Sequence, residues 1–183
     1  MSEHWATPTV SGYALHTHNC NTQPWHVHVV SGSARDKLSA ALLRDENEGY
    51  RTPDFSFDAG AFKGIYAERH HAMAMRRNDA AGIRRDDHVA RYEDMLRNLK
   101  FYGAPHVAFL FMPVIGDSVR TAGDIGMYAQ TLLLSLAAHG FAGTPQTVLG
   151  FYPGSSGNWP GDRLLHTFTL VGFKKTNLLT RDH

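Results

Sequence analysis

Apolar and polar positions alternate along WHVHVV, residues 25–30. The alternation predicts a strand with Trp25, Val27 and Val29 on one face and His26 and His28 on the other. Before it, VSGYALHTHN reads as a short helix ending near Asn19, and Pro24 keeps any later helix from running into the strand. The chain then breaks at SGS, and SARDKLSAALL reads as a helix with a serine N-cap. NEGYRTPDF is rich in breakers and reads as a loop. Residues 58–81 read as one long helix stopped by Gly82. RDDHVARYEDMLRNLKFY reads as another helix, with acids in its first turn and bases near its end as the helix dipole favours.

Gly103-Ala104-Pro105 ends that helix, and HVAFLFMP follows as a nearly continuous apolar run. Such a run predicts a strand buried on both faces and therefore central in a sheet. DIGMYAQTLLLSLAAHG is the clearest helix in the chain; Asp124 can cap it and Gly140 can end it. It is apolar almost all round, which predicts a core helix with more apolar circumference than one short sheet covers. LLHTFTLVGF reads as the last strand, after a Gly/Pro/Ser-rich loop from Tyr152 to Gly161. No repeat and no second core interrupts this order. The expectation is a single α+β domain over residues 1–183, with helices packed on a central sheet.

At 183 residues, 43% hydrophobic and 19% charged, the chain has the composition of a folded domain and not of a disordered segment. A formal net charge of +1 gives no reason to expect nucleic acid or an anionic membrane as partner. Basic residues gather in MRRNDAAGIRRDD, but acids interleave with them, as on a solvated helix face and its loop. The single cysteine cannot build a disulfide framework and suggests a reducing compartment. The N-terminus lacks the pattern of a secretory signal, and no apolar run approaches the ~20 residues that span a bilayer. A cytoplasmic protein is expected.

Candidate chemistry centres on HTHNCNTQPWHVHVV, residues 16–30. His26 and His28 share a strand face and two such side chains can ligate zinc, yet no third ligand is set by spacing. HHAMA has neither an i, i+4 histidine pair nor the zinc-protease pattern. No metal site is expected. Cys20 as a nucleophile would need a base and an orienting group, and nothing near it matches a nucleophile motif. Gly-rich phosphate cradles are also missing from the sequence. An enzyme built on this chain would borrow its chemistry, with no catalytic side chain of its own. A flavin permits that, because hydride transfer through its ring needs flat apolar walls, a few donors and a phosphate anchor. NTQPW supplies carboxamides, a proline and a large ring, and GFAGTPQT supplies glycines that let backbone approach a ring closely.

Four stretches carry a resemblance to one family. HNCNTQPWHVHVV resembles the segment in which Pro-Ser-x-x-Asn-x-Gln-Pro-Trp enters a strand in FMN-dependent nitroreductases. GIRRDDHVARYEDMLRNLKFYGAPHVAFLFMP resembles that family's helix ending in Asn-x-x-Phe-(Phe/Tyr)-x-Ala-Pro and the strand after it. DIGMYAQTLLLSLAAHGFAGTPQ resembles its Asp-x-Gly-x-x-x-Gln core helix and Gly-Leu-Gly-Thr-x-Pro-Gln loop, and LLHTFTLVGFKKTN resembles its last strand. The four occur in the family's order and cover most of residues 14–175.

The resemblance implies a nitroreductase-like fold with a mostly antiparallel sheet, and a homodimer with FMN in the groove between subunits. It implies NAD(P)H as electron donor and ping-pong hydride transfer to nitroaromatics, quinones or activated alkenes. By it, Asn21 hydrogen-bonds the flavin, Gln23 supports that rim, and Pro145, Gln146 and Thr147 line the other side of the ring. The apolar core helix implies a dimer interface of ~2,000 Å² or more. Two departures stand out. Thr17 and His18 occupy the family's Pro-Ser positions, and the opening Arg-Arg-Ser-x-Arg-x-Phe segment that holds the FMN phosphate has no counterpart. Lys174, Lys175 and Arg181 are then the candidate phosphate partners, with Arg181 first because its planar fork binds phosphate oxygens in pairs. A non-catalytic flavin-binding or sequestering protein of the same fold stays open as an alternative, as does a metal-dependent hydrolase built on the histidines.

Overall fold

The structure is a computed structural model that describes residues 20–53, 55–154 and 164–175, the last stretch by its backbone. In chain order the elements are β1 (His26–Ser31), α1 (Gly32–Glu48), α2 (Ile65–Ala80), α3 (His88–Leu99), β2 (His106–Pro113), α4 (Val119–Ala138), β3 (Phe141–Gln146) and β4 (Leu164–Lys175). The strands form one sheet in the order β1-β2-β4-β3, and every neighbouring pair is antiparallel. The helix expected to end near Asn19 lies outside the described residues.

β2 is central, as its apolar run predicts, and each residue from Val107 to Met112 is at most 4% exposed. Both of its faces are covered because helices pack on each side. On one side Val107, Phe109 and Phe111 join Val30 of β1, Leu42 of α1 and Leu99 of α3 in a buried cluster. On the other, Ala108 and Leu110 pack with Tyr128 and Ala129 of α4, joined by Trp25, Val27 and Val29. The alternation of WHVHVV is therefore realised. In the β1–β2 register His28 pairs with Phe109 and Val29 with Ala108, which sends His26 and His28 to the α1 face and the valines 27 and 29 to the α4 face.

Helix ends follow local chemistry, with four departures from expectation. α1 starts after Ser31 instead of Ser33, and the Ser31 side chain makes no cap bond; positive-φ Gly32 turns the chain there. α2 is shorter than the 58–81 segment, because Asp58 caps a short 3-10 turn (Ala59–Ala61) and Gly64 at φ 54° separates that turn from the helix. α3 begins at His88 with Asp87 as its cap, accepting from the Ala90 N–H at 2.9 Å, so the preceding acids lie outside the helix. α4 begins five residues before Asp124, which therefore sits inside the helix instead of capping it. Gly82 and Gly140 do follow their helices, both with positive φ, the conformation that a residue without Cβ reaches most cheaply. Among the described residues, no helix is long and apolar enough to cross a membrane.

Candidate functional site

Residues 20–25 enter β1 through a turn that ordinary side chains resist. Cys20, Asn21 and Gln23 have φ of 56°, 55° and 44°. Left-handed backbone costs on the order of 1–3 kcal/mol for a residue with a Cβ, so surrounding contacts must hold the turn. Three such contacts are visible. The Gln23 side-chain amide donates to Asn21 Oδ1 at 2.8 Å, which orients the Asn21 carboxamide and directs its own N–H donors elsewhere. Thr22 Oγ1 donates to Oδ2 of Asp124 at 3.2 Å. Trp25 stacks on Tyr128, ring centroids 4.8 Å apart and planes 21° apart. Pro24 is buried beneath the turn, while Asn21 and Gln23 remain exposed at its crest.

The histidines of the stretch belong to a different surface. His26 is exposed, and His28 meets Phe111 edge-on at 5.5 Å between centroids. Burial, and then the neighbouring His26, hold the His28 imidazole below its usual pKa, so it is neutral near physiological pH. Among the described residues no cluster of three or more His, Cys, Asp or Glu side chains could hold a metal ion.

The second rim suggested by sequence falls on β3, which the sequence reading treats as a loop. Its strand character comes from pairing with β4, where Pro145 faces Leu170 and Gln146 faces Thr169. Among the described residues β3 is an edge strand, the position in a sheet that tolerates its proline. Pro145 and Thr147 are exposed. Gln146 turns inward instead: it is 6% exposed and its Nε2 donates to Asn98 Oδ1 at 3.2 Å. Its Oε1 has no hydrogen-bond partner among the described residues.

Asn21 and Gln23 precede the strand at one edge of the sheet, and Pro145 and Thr147 lie on the opposite edge. Both segments are near the same end, since His26 pairs with Phe111, Phe111 with His166, and Gln146 with Thr169. Three strand spacings separate the two edges, ~14 Å within one chain. Lys174 and Lys175 pair with Ala142 and Phe141 at the other end of β4. Four residues of strand between Leu170 and Lys174 put the lysines ~13 Å beyond the β3 rim. Arg181 lies outside the described residues.

A charged cluster braces the chain behind the β3 rim. Arg51 lays Nε and Nη2 on the two oxygens of Glu46 at 2.8 and 2.5 Å. Tyr152 donates its hydroxyl to Glu46 at 2.5 Å and accepts from Arg51 Nε at 3.1 Å. The Arg51 hydrogen bond, aided by Tyr152, holds the Glu46 carboxyl below its ordinary value. Burial first, and then the bond to Glu46, push the Tyr152 phenol up to about 12. Thr52 N–H donates to the Phe151 carbonyl at 3.0 Å, and Phe55 and Phe57 lie against the Phe151 ring. These contacts fasten the end of α1 to residues 148–152, directly after Thr147. The sequence carries no local sign of them, nor of the Thr22–Asp124 and Trp25–Tyr128 contacts. An acid one turn before a tyrosine in an apolar helix is the one hint available.

The comparisons with known proteins point to one family. The profile of the nitroreductase family matches residues 17–152. Nitroreductase NfnB of Mycolicibacterium smegmatis is 48% identical over 134 residues, which are 73% of this chain and 57% of that protein. Nitrobenzene nitroreductase of Ectopseudomonas oleovorans is 33% identical over 66% of this chain and 53% of its own length. The chain thus spans little more than half the length of these curated relatives. The crystal structure of the FMN-dependent nitroreductase NfnB from Mycobacterium smegmatis in complex with NADPH superposes with a TM-score of 0.81 at 41% identity, over 87% of this chain and 72% of that one. With its helix-covered antiparallel sheet, its Asn-Thr-Gln-Pro-Trp turn and a family match across most of its length, this chain belongs to the nitroreductase family.

Proposed function

We propose that the chain is an FMN-dependent NAD(P)H oxidoreductase that reduces nitroaromatics, quinones or similar electron-poor compounds, working as a cytoplasmic homodimer. The observation that carries the reading is the braced turn at residues 20–24. It spends backbone strain to hold an exposed carboxamide in one orientation. With Oδ1 of Asn21 engaged by Gln23, its amide N–H groups are left to meet acceptors on a flavin ring. This donor set fits a flavin better than a metal, because carboxamides are poor ligands for transition metals. FMN supplies the hydride chemistry when bound, and the chain supplies walls and donors.

The dimer is supported by two features. One flavin ring cannot reach both rims of a single chain across ~14 Å and lie flat on each, whereas a two-fold pairing can oppose one chain's Asn21 rim to the other's Pro145–Thr147 rim. α4 also leaves Val119, Met127 and Leu134 at 68%, 46% and 61% exposure, an apolar surface of the kind that marks interfaces. NAD(P)H and the electron-poor substrate would then use the same open groove in turn, as ping-pong kinetics requires. The relatives named above, one solved with NADPH and one named for nitrobenzene, support the donor and substrate classes.

The test is spectroscopic. The full chain, incubated with FMN and desalted, should stay yellow, bleach with NADPH under anaerobic conditions, and regain colour on adding nitrobenzene or benzoquinone. A protein that keeps no FMN would refute the reading, and retained FMN that NADPH never bleaches would favour a non-catalytic flavin protein.

A further inference from the structure

We propose that Thr22 and Asp124, with the Trp25–Tyr128 stack, form a two-point clamp that positions Asn21 against the flavin and so tunes its binding and reduction. The inference rests on the FMN reading above. Thr22 and Trp25 are three residues apart in the turn, and Asp124 and Tyr128 are four apart on α4. Residues at that helical spacing lie on one face, a single turn from each other. The turn is thus pinned at two places on one helix, and the backbone between the pins carries Gln23 and Pro24.

The clamp has the features of a device that positions a site. Asp124 is 2% exposed, and a polar side chain that deep is costly unless hydrogen-bonded. An apolar residue there would pack on the sheet without that cost, as Ala129 does. Among its contacts, the carboxylate makes a directional one to the turn across a sequence separation of 102 residues. That contact opposes the relaxation of three left-handed residues toward ordinary backbone, which would swing the Asn21 carboxamide away from its present orientation. Thr22 and Asp124 need not touch the flavin; they act through Asn21.

Thr22→Val keeps the side-chain shape and removes the donor, and Thr22→Ser keeps the donor. Ser39→Ala is the control, since Ser39 donates to the Leu99 carbonyl at 2.9 Å on the opposite face of the sheet. In the full chain, Thr22→Val should weaken FMN binding about tenfold, ~1.4 kcal/mol. It should also move the bound flavin's reduction midpoint to more negative values, because donors to the ring stabilise the charge gained on reduction. Thr22→Ser should restore both. Ser39→Ala should lower the unfolding temperature of flavin-free protein and leave FMN affinity and midpoint unchanged. Native affinity and midpoint in Thr22→Val would overturn the clamp while leaving the reductase reading intact. A native chain that binds no FMN would overturn both readings, and that failure shows before any variant is made.

Discussion

Replacing Tyr152 by phenylalanine isolates one hydrogen bond in the brace behind the β3 rim. The ring is 1% exposed and its hydroxyl donates to Glu46 at 2.5 Å, so the variant keeps the packing and loses the donor. The Glu46 side chain is only 6% exposed and would keep Arg51 as a partner. A hydrogen bond to a charged, largely buried acceptor contributes about 1.5–3 kcal/mol, more than a neutral one at about 0.5–1.5 kcal/mol. The loss should depend on pH, and its sign follows from Glu46. Its carboxyl lies below the ordinary value of 4.5 in the folded protein, so the stability it contributes is present above that value and is lost as pH falls through the folded one. Urea unfolding of flavin-free protein should therefore show Tyr152→Phe destabilised by about 1.5–3 kcal/mol near neutral pH. The gap should narrow toward about 0.5–1.5 kcal/mol in acid, once Glu46 is protonated and its bond to the phenol is neutral. A gap that stays the same across that range, or a loss under about 0.5 kcal/mol at neutral pH, would refute the assignment of a charge-assisted bond.

Other outcomes follow from the same geometry. Asn21→Ala should cost about 1–3 kcal/mol of FMN affinity through an unpaired ring atom, whereas His26→Ala and His28→Ala should leave flavin content unchanged because both histidines face α1; fluorescence titration separates the two cases. Met127→Glu with Leu134→Glu, on the exposed side of α4, should give a monomer without flavin by light scattering and absorbance, and an intact dimer would remove α4 from the interface. The resemblance to the family, and not the described geometry, adds that FMN binding should weaken with salt and fall further in Arg181→Ala; binding that ignores both would place the phosphate on another group.

Much of this protein is legible along the chain because nearest neighbours decide it. The run His106–Pro113 could only be a strand covered on both faces, and the period-two pattern of residues 25–30 assigned Val27 and Val29 to one helix layer and His26 and His28 to the other. The Asn-Thr-Gln-Pro-Trp turn and its companion stretches were enough to point to the family. Tertiary structure decided the rest. FAGTPQ carries Gly and Pro and has little strand preference of its own; it is a strand because β4 offers a free edge. Asp124 looks like a helix cap when read locally, and only the packing of α4 under the sheet turns it into a buried partner for Thr22. Gln146 belongs to a rim by position and to the interior by its bond to Asn98. Tyr152, Glu46 and Arg51 have no common motif, since Tyr152 lies 106 residues from Glu46. Periodicity and capping act within a few residues, so they write themselves into the sequence. The orientation of a carboxamide at a strained turn depends on side chains brought from a hundred residues away, and only the folded chain determines which of them arrive.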